Sequence, residues 1–390
     1  MDYKKAFDSV NRAALWTLLR SRGVDPHLVD IIEDLYDGCS GEVMVQGYKS
    51  KKFAMKTGVR QGCALSPLLF NLFIDHIARN SFTSELEDLG FPVATEINGL
   101  LNTPGNPRSH PLAEHMRITF LLYADDLVIV SHSKDGLTKL LKSLQQTSAD
   151  WGMTINYKKT QAMLFHPLSA SSELPSPIKL NGGPEAVTAF VSTFPYLGNT
   201  LTPDNSLDNE IHRRIGMTKK ACSDLSKLWK NHSISRPIKN LVFKAIIPAT
   251  LLYGCETWAL TPQQTQSLDV ALHDCLRMSL NISRADRIRN EEIRRRCQHP
   301  DILTITRSQR LRFLGHIAKR GDERYIKQML FASHTPLTKG NPKHGHTIIE
   351  CFKEDLEAVN IGADWFNQCQ HRGAWRATIH DLLEDSSLPN

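Results

Sequence analysis

Two adjacent carboxylates, Asp125 and Asp126, stand in Tyr123-Ala124-Asp125-Asp126 between apolar runs from Ile118 to Leu122 and from Leu127 to Val130. Apolar flanks of this length read as two buried strands of a hairpin, with the acids at its tip. Burial of carboxylates is costly unless cations neutralise them, so a metal site is the first chemistry to consider. An Asp-rich β-turn is the plain alternative. Upstream, the stretch from Gly58-Val59-Arg60-Gln61-Gly62 to Ser66-Pro67-Leu68-Leu69-Phe70 runs from a strand through a glycine-flanked polar loop into a helix. Ser66 reads as its N-cap and Pro67 as its first residue, with Leu68, Leu69, Leu72 and Ile77 as a rough buried stripe. Gly58 and Gly62 allow a ligand close to the backbone, and Arg60 and Gln61 offer donors. Taken alone, a structural turn before a core helix fits equally well.

A third stretch, Asp2-Tyr3-Lys4-Lys5-Ala6-Phe7-Asp8, precedes an amphipathic helix carrying Val10, Leu15, Leu18 and Leu19. With this stretch the chain resembles a known family. Asp-x-x-x-x-Phe, then Arg-Gln-Gly-x-x-x-Ser-Pro-x-Leu-Phe, then Tyr-Ala-Asp-Asp, in this order and at these separations, look like the palm motifs of reverse transcriptases. Trp151-Gly152-Met153-Thr154-Ile155-Asn156-Tyr157-Lys158-Lys159-Thr160 resembles the segment that follows the palm's carboxylate hairpin, and Phe194-Pro195-Tyr196-Leu197-Gly198 resembles the primer-grip hairpin. Leu252-Tyr253-Gly254-Cys255-Glu256-Thr257-Trp258 and Arg310-Leu311-Arg312-Phe313-Leu314-Gly315-His316 are similar to segments beyond the polymerase in LINE-type (non-LTR) retrotransposons, and argue against a group II intron maturase. The resemblance runs from residue 2 to about residue 376.

The resemblance implies an α+β fold: a right-hand polymerase palm, an antiparallel sheet with packed helices and partial fingers, over 1–203, a helical thumb over 204–280 and a basic helical C-terminal region over 281–390. Nucleotidyl transfer displaces pyrophosphate, and two magnesium ions about 3.5 to 4 Å apart can stabilise the attacking and leaving oxygens. Magnesium prefers oxygen ligands and keeps several waters, so a few carboxylates suffice. By resemblance Asp2 and Asp125 bridge two Mg2+ and Asp126 is the supporting third acid, while Asp8 falls outside the ligand position and reads as solvated or as a cap. Phe7 takes the place of the aromatic that crowds the sugar 2′ carbon, or is a core aromatic. Gln61 and Gly62 line the nucleotide and template pocket with Arg60 beside them, and Lys159 is near the triphosphate as a general acid, or is a solvated loop lysine.

With 390 residues, 41% of them hydrophobic, the chain can bury a large core in two or three domains. The net charge of +6 is unevenly placed: residues 211–240 carry Arg213, Arg214, Lys219, Lys220, Lys227, Lys230, Arg236 and Lys239 against Asp224 alone, which is +7. A basic helical segment after a palm fits a thumb gripping the phosphates of an RNA template and DNA primer; a solvated helix face is the bland reading. Arg284, Arg287, Arg289, Arg294, Arg295 and Arg296 extend that track or form surface pairs with the interleaved acids. The eight cysteines show no regular framework, and no signal peptide or long apolar span is visible. The expected setting is intracellular and reduced, with no membrane: a cytoplasmic ribonucleoprotein stage, then the nucleus. Cys297/His299 and Cys369/His371 match no compact zinc module.

Asp25-Pro26 opens a helix that Gly38 ends, Glu42 to Val45 pairs with Lys52 to Lys56, and Thr261-Pro262 opens a helix to about residue 280. Residues 97–113 and 167–176 read as loops, and the stretch from Thr335-Pro336 to Gly345 as a linker. Asp2 lies one residue from the chain start, so the strand that holds it and most of the fingers are expected to be missing. A metal ligand about 1 Å out of place costs roughly a hundredfold in rate, so the sequence predicts a polymerase signature with little independent activity. Two readings stay open: a reverse transcriptase acting on deoxynucleoside triphosphates, and a non-catalytic nucleic-acid-binding remnant.

Overall fold

A computed structural model of the chain describes residues 1–95, 114–165, 174–181, 187–330, 347–362 and 364–385. The predicted loop at 97–113, most of the one at 167–176 and the linker at 335–345 lie outside the described residues. The fold is mixed, dominated by helices with several small sheets, and divides into two compact units. The first is built mainly from Met1–Pro92 and Met116–Leu164 and closes at Ser192; the second runs from Thr193 onward.

Four helices carry the core of the first unit. Asn11 caps Arg12–Ser21 and Asp25 caps Pro26–Tyr36, each side chain accepting an orphan N–H of the first turn. Ser133 does the same for Lys134–Asp150. Ser66–Ser81 departs from expectation: Ser66 is already helical, its hydroxyl is buried against Tyr36 Oη at 3.0 Å, and Leu65 takes the capping position. The buried stripe is correspondingly rotated to Leu69, Phe70, Phe73, Ile74, Ile77 and Ala78, leaving Leu68 56% exposed. These side chains close on Val10, Leu15, Leu18 and Leu19, each worth about 1.5–3 kcal/mol when fully buried. The strand pair expected between Glu42–Val45 and Lys52–Lys56 is divided: Ser40–Gly41 pairs with Phe53–Ala54, and Met44–Val45 folds back onto Tyr48–Lys49. Gln46 and Gly47, both at positive φ, permit that early turn.

The Tyr-Ala-Asp-Asp hairpin forms as Phe120–Tyr123 antiparallel to Asp126–Ile129, with Tyr123 across from Asp126. Only one of its two faces is covered: Leu127 is fully buried, whereas Leu121 and Tyr123 are exposed, because neighbours along a strand point to opposite faces. The extreme N-terminus, where the sequence predicts the strand holding Asp2 to be missing, is tied by backbone bonds to this hairpin and to a second segment. The Met1 ammonium donates to the Leu127 carbonyl at 2.7 Å and the Leu127 N–H to the Met1 carbonyl at 3.4 Å. On the other edge Lys4 N–H donates to Thr154 O and Asn156 N–H to Asp2 O, both at 2.8 Å, with Tyr3 bridged to Ile155.

In the second unit a hairpin, Phe194–Tyr196 with Asn199–Leu201, leads into helices Asp208–Asp224, Arg236–Leu251 and Pro262–Leu280. The last opens at Thr261-Pro262, as the sequence predicts, and a capping box between Thr261 and Gln264 closes its first turn. Ile211, Trp229, Phe243, Ile247, Leu272 and Leu276 share one core. A further core joins Ile302–Ala318 to Ile348–Ala358 and Arg372–Asp385. Here Asp355 accepts from Arg310 at 2.6 and 2.8 Å and from Arg307 at 3.2 Å, and Trp375 donates its indole N–H to the Leu311 carbonyl. Gly315 must be bare, since a Cβ there would stand 2.3 Å from the Trp375 nitrogen. No helix among the described residues is long and apolar enough to cross a membrane.

His299 is buried edge-on against Phe243, and burial lowers its pKa from 6.5 to about 4 despite the bond to the Pro300 carbonyl. A histidine that folds neutral loses stability where the unfolded chain alone takes a proton. Its contribution is therefore complete above about pH 6.5 and falls as pH drops toward 4. Urea melts in that window should lose stability in the wild type more steeply than in His299→Phe.

Candidate active site and nucleic-acid interface

The reciprocal bonds between Met1 and Leu127 define an antiparallel pair, and one step along it sets Asp2 across from Asp126. The Tyr3–Ile155 bridge likewise sets Asp2 across from Asn156, whose side-chain amide donates to Asp2 Oδ2 at 3.0 Å. Tyr3, Leu127 and Ile155 are all buried, so Asp126, Asp2 and Asn156 form a row on the opposite face. Asp125, half-buried, takes the turn beside them, next to Ala124 at φ 51. A non-glycine residue there costs roughly 1–2 kcal/mol, strain of the kind that collects at functional sites.

Positive charge meets these acids from two sides. Lys159 Nζ is 3.6 Å from Asp2 Oδ2. The Met1 ammonium has its pKa lowered by burial, while Asp126 and Asp2 pull it the other way. The donors are hard carboxylate oxygens, which suit magnesium. Among the described residues, however, no three His, Cys, Asp or Glu side chains converge as a ready ligand set. A cavity of roughly 480 Å³ next to Asp2 is lined by Lys4, Lys5, Lys159, Asn156 and Ser9, cationic enough for a polyphosphate.

Phe7 is half-buried, its ring stacked on Phe70 with centroids 4.3 Å apart. Gly58, at φ +83, admits the protein's own chain: a Cβ there would lie 2.7 Å from the Asp8 backbone. Gly62, also at φ +83, has open space around it. Gln61 reaches Asp8 Oδ1 at 3.4 Å, with Asp8 exposed as expected. Arg60 turns away from the acids, donating to the Leu35 carbonyl and Cys39 Sγ. Arg12 gathers this loop, donating to the carbonyls of Tyr36, Met55, Thr57 and Gly58 at 2.7–3.2 Å.

The family described as reverse transcriptase (RNA-dependent DNA polymerase) matches residues 1–201, just over half of the chain. The chain belongs to that family. It is 27% identical over 219 residues to a transposon-derived protein of Caenorhabditis elegans, covering 54% of this chain and 76% of that one. To a retrovirus-related Pol polyprotein of a type-1 retrotransposable element from Popillia japonica it is 26% identical, over 69% of this chain and 40% of the polyprotein. To the RNA-directed DNA polymerase from mobile element jockey of Drosophila melanogaster it is 23% identical, over 67% of this chain and 25% of that protein. These relatives mark a LINE-type reverse transcriptase, and the chain spans less than half the length of the two retroelement polymerases.

Beyond the matched region, the basic helix of this reverse transcriptase uses its cations in two ways. Arg214 is 4% exposed: it donates to Glu210 Oε1 at 2.6 Å and to the Gly198 carbonyl, and covers the Tyr253 ring at 4.5 Å. Arg213 also joins Glu210 and Gly198. Burial pushes the Glu210 carboxyl up, but these guanidiniums and the Thr200 N–H hold it below the usual carboxylate range. The two arginines, expected at phosphates, thus hold the Leu197–Gly198 turn, and Tyr253 Oη adds a bond to the Leu197 carbonyl. Lys219, Lys220, Lys227 and Lys230 are exposed. Sequence reasoning gave no role to Asn156, Glu210, Tyr253 or Arg12. An arginine in the first turn of a helix, against the dipole, was the signal for the last.

Gly58→Ala should cost about 2 kcal/mol or more, since its backbone conformation and its contact with Asp8 both exclude a Cβ. Arg214→Ala should cost about 2 kcal/mol by leaving Glu210 with Arg213 as its one guanidinium partner, with Arg214→Lys intermediate. Denaturant melts followed by far-UV dichroism check both.

Proposed function

We propose that this chain carries an RNA-directed DNA polymerase site that extends a DNA primer on an RNA template from deoxynucleoside triphosphates. The observation that carries the reading is the row Asp126–Asp2–Asn156 beside a lysine-lined cavity. Residues 1–203 act as palm with partial fingers, 204–280 as thumb and 281–390 as a basic helical extension. Asp2, Asp125 and Asp126 would hold two Mg2+ ions, which when bound supply charge for the attacking and leaving oxygens. Asn156 fixes the Asp2 carboxylate by its amide. Lys159, which lines the cavity with Lys4 and Lys5, would meet the triphosphate there and give a proton to the departing pyrophosphate. Phe7 screens the sugar, and Arg60, Gln61 and Gly62 border the template and nucleotide. Lys219, Lys220, Lys227 and Lys230 grip duplex phosphates, with Arg213 and Arg214 positioning the preceding hairpin. The working compartment is the nucleus, reached from a cytoplasmic ribonucleoprotein.

A second reading, nucleic-acid binding without catalysis, is favoured by the Lys159 ammonium, which already lies 3.6 Å from Asp2 Oδ2. Primer extension on poly(rA)–oligo(dT) separates the two. The first reading expects Mg2+-dependent incorporation that falls at least about a thousandfold in Asp125→Ala. Incorporation that survives this substitution overturns the metal assignment. Duplex binding that weakens steeply with salt, with no extension by either protein, selects the second reading.

A further inference from the structure

We propose that the hairpin Met44–Lys49, with its root strands Ser40–Gly41 and Phe53–Ala54, is a platform for single-stranded RNA. The proposal rests on the template reading above and extends it to a surface remote in sequence from the acids.

Both faces of this ribbon are open. Tyr48 is 83% exposed, and Val43, Met44, Val45 and Phe53 are exposed with it. A two-stranded ribbon with no covered face is marginal by itself, and an apolar cluster of this kind marks an interaction site. The root is nevertheless fixed, by Arg12 on the carbonyls of Met55, Thr57 and Gly58 and by Arg60 on Cys39. The Phe53 ring rests on bare Gly41, where a Cβ would come 3.0 Å from Cζ. The aromatic residues are therefore presented rather than left over from a loose loop.

Charge decides the kind of partner. Residues 40–56 contain Lys49, Lys51, Lys52 and Lys56 against Glu42 alone. Glu42 is spent on Lys49 at 2.8 Å, and among the described residues Lys51, Lys52 and Lys56 form no ion pair. Exposed aromatics interleaved with unpaired ammonium groups suit a strand whose bases stack while its phosphates meet the lysines. A duplex keeps its base faces stacked inside and offers backbone and groove edges, so it gives the rings of Tyr48 and Phe53 nothing to stack on. A groove of roughly 670 Å³ at the root, bordered by Phe53, Lys52 and Lys56, has room for one nucleotide. Glu33, which is paired with Arg20, and Asp34 and Asp37 also line it, so phosphates must keep to the lysine edge.

The test is fluorescence anisotropy with a labelled oligo(U) of about 15 nucleotides and, separately, an RNA–DNA duplex. Tyr48→Ala with Phe53→Ala should bind oligo(U) about tenfold more weakly, with duplex affinity within about twofold and Tyr48→Trp near wild type. Lys51→Glu with Lys52→Glu should weaken oligo(U) and flatten its salt dependence. Unchanged oligo(U) binding in both double variants overturns the platform. So does a change in sedimentation without a change in RNA affinity, which would assign the surface to a second copy of the chain. The platform is read by oligo(U) binding without Mg2+ or nucleotide and the polymerase by primer extension, so a failed extension assay and a failed platform are separate results.

Discussion

The backbone ladder through Met1–Lys4 is the constraint on which the rest of the first unit depends. It ties the hairpin strand to residues 154–156, so three segments far apart in sequence share one register. Side chains alternate across that register, which sends Tyr3, Leu127 and Ile155 inward and the carboxylates outward. Tyr3 anchors the strand from below: its hydroxyl meets Ser148 at 2.9 Å, and burial pushes its pKa up to about 12, so it remains a neutral partner at any working pH. The acids are positioned mainly by the backbone beneath them, with Asp2 held in addition by the Asn156 amide.

Arginine and lysine divide the electrostatic work. Arg12, Arg60, Arg213, Arg214 and Arg310 are turned onto carbonyls or carboxylates of the chain itself. Their planar forks suit fixed acceptors. The lysines at 51, 52, 219, 220, 227 and 230 remain exposed on flexible stems, where a compact, hydrated charge can follow a moving backbone. Counting basic residues together therefore overstates the charge available to a ligand and understates how much of it organises turns.

Local patterns were the legible part. The Tyr-Ala-Asp-Asp hairpin, the caps at Asp25 and Thr261 and the core leucines at 15, 18 and 19 follow from short-range spacing and turn chemistry. What spacing could not show was which partner wins. Ser66 looks like a cap until Tyr36 claims its hydroxyl, and that shift rotates the buried stripe away from Leu68. Glu42–Val45 looks like the partner of Lys52–Lys56 until Gln46 and Gly47 turn it back onto Tyr48–Lys49. Arg214 reads as surface charge because Gly198 becomes its neighbour only in the folded unit, although Glu210, four residues earlier on the same helix, was legible as a partner. The central position of residues 1–4 has no periodicity to reveal it, since four residues are too few.

The fit between Gly315 and Trp375 reaches across sixty positions of chain. A methyl group on the first leaves the indole no room, and a smaller ring on the second opens a void that a glycine cannot fill. Such a couple drifts together or not at all. Variants of this chain should therefore lose the order of the last helices abruptly, once either member changes, rather than by gradual loosening.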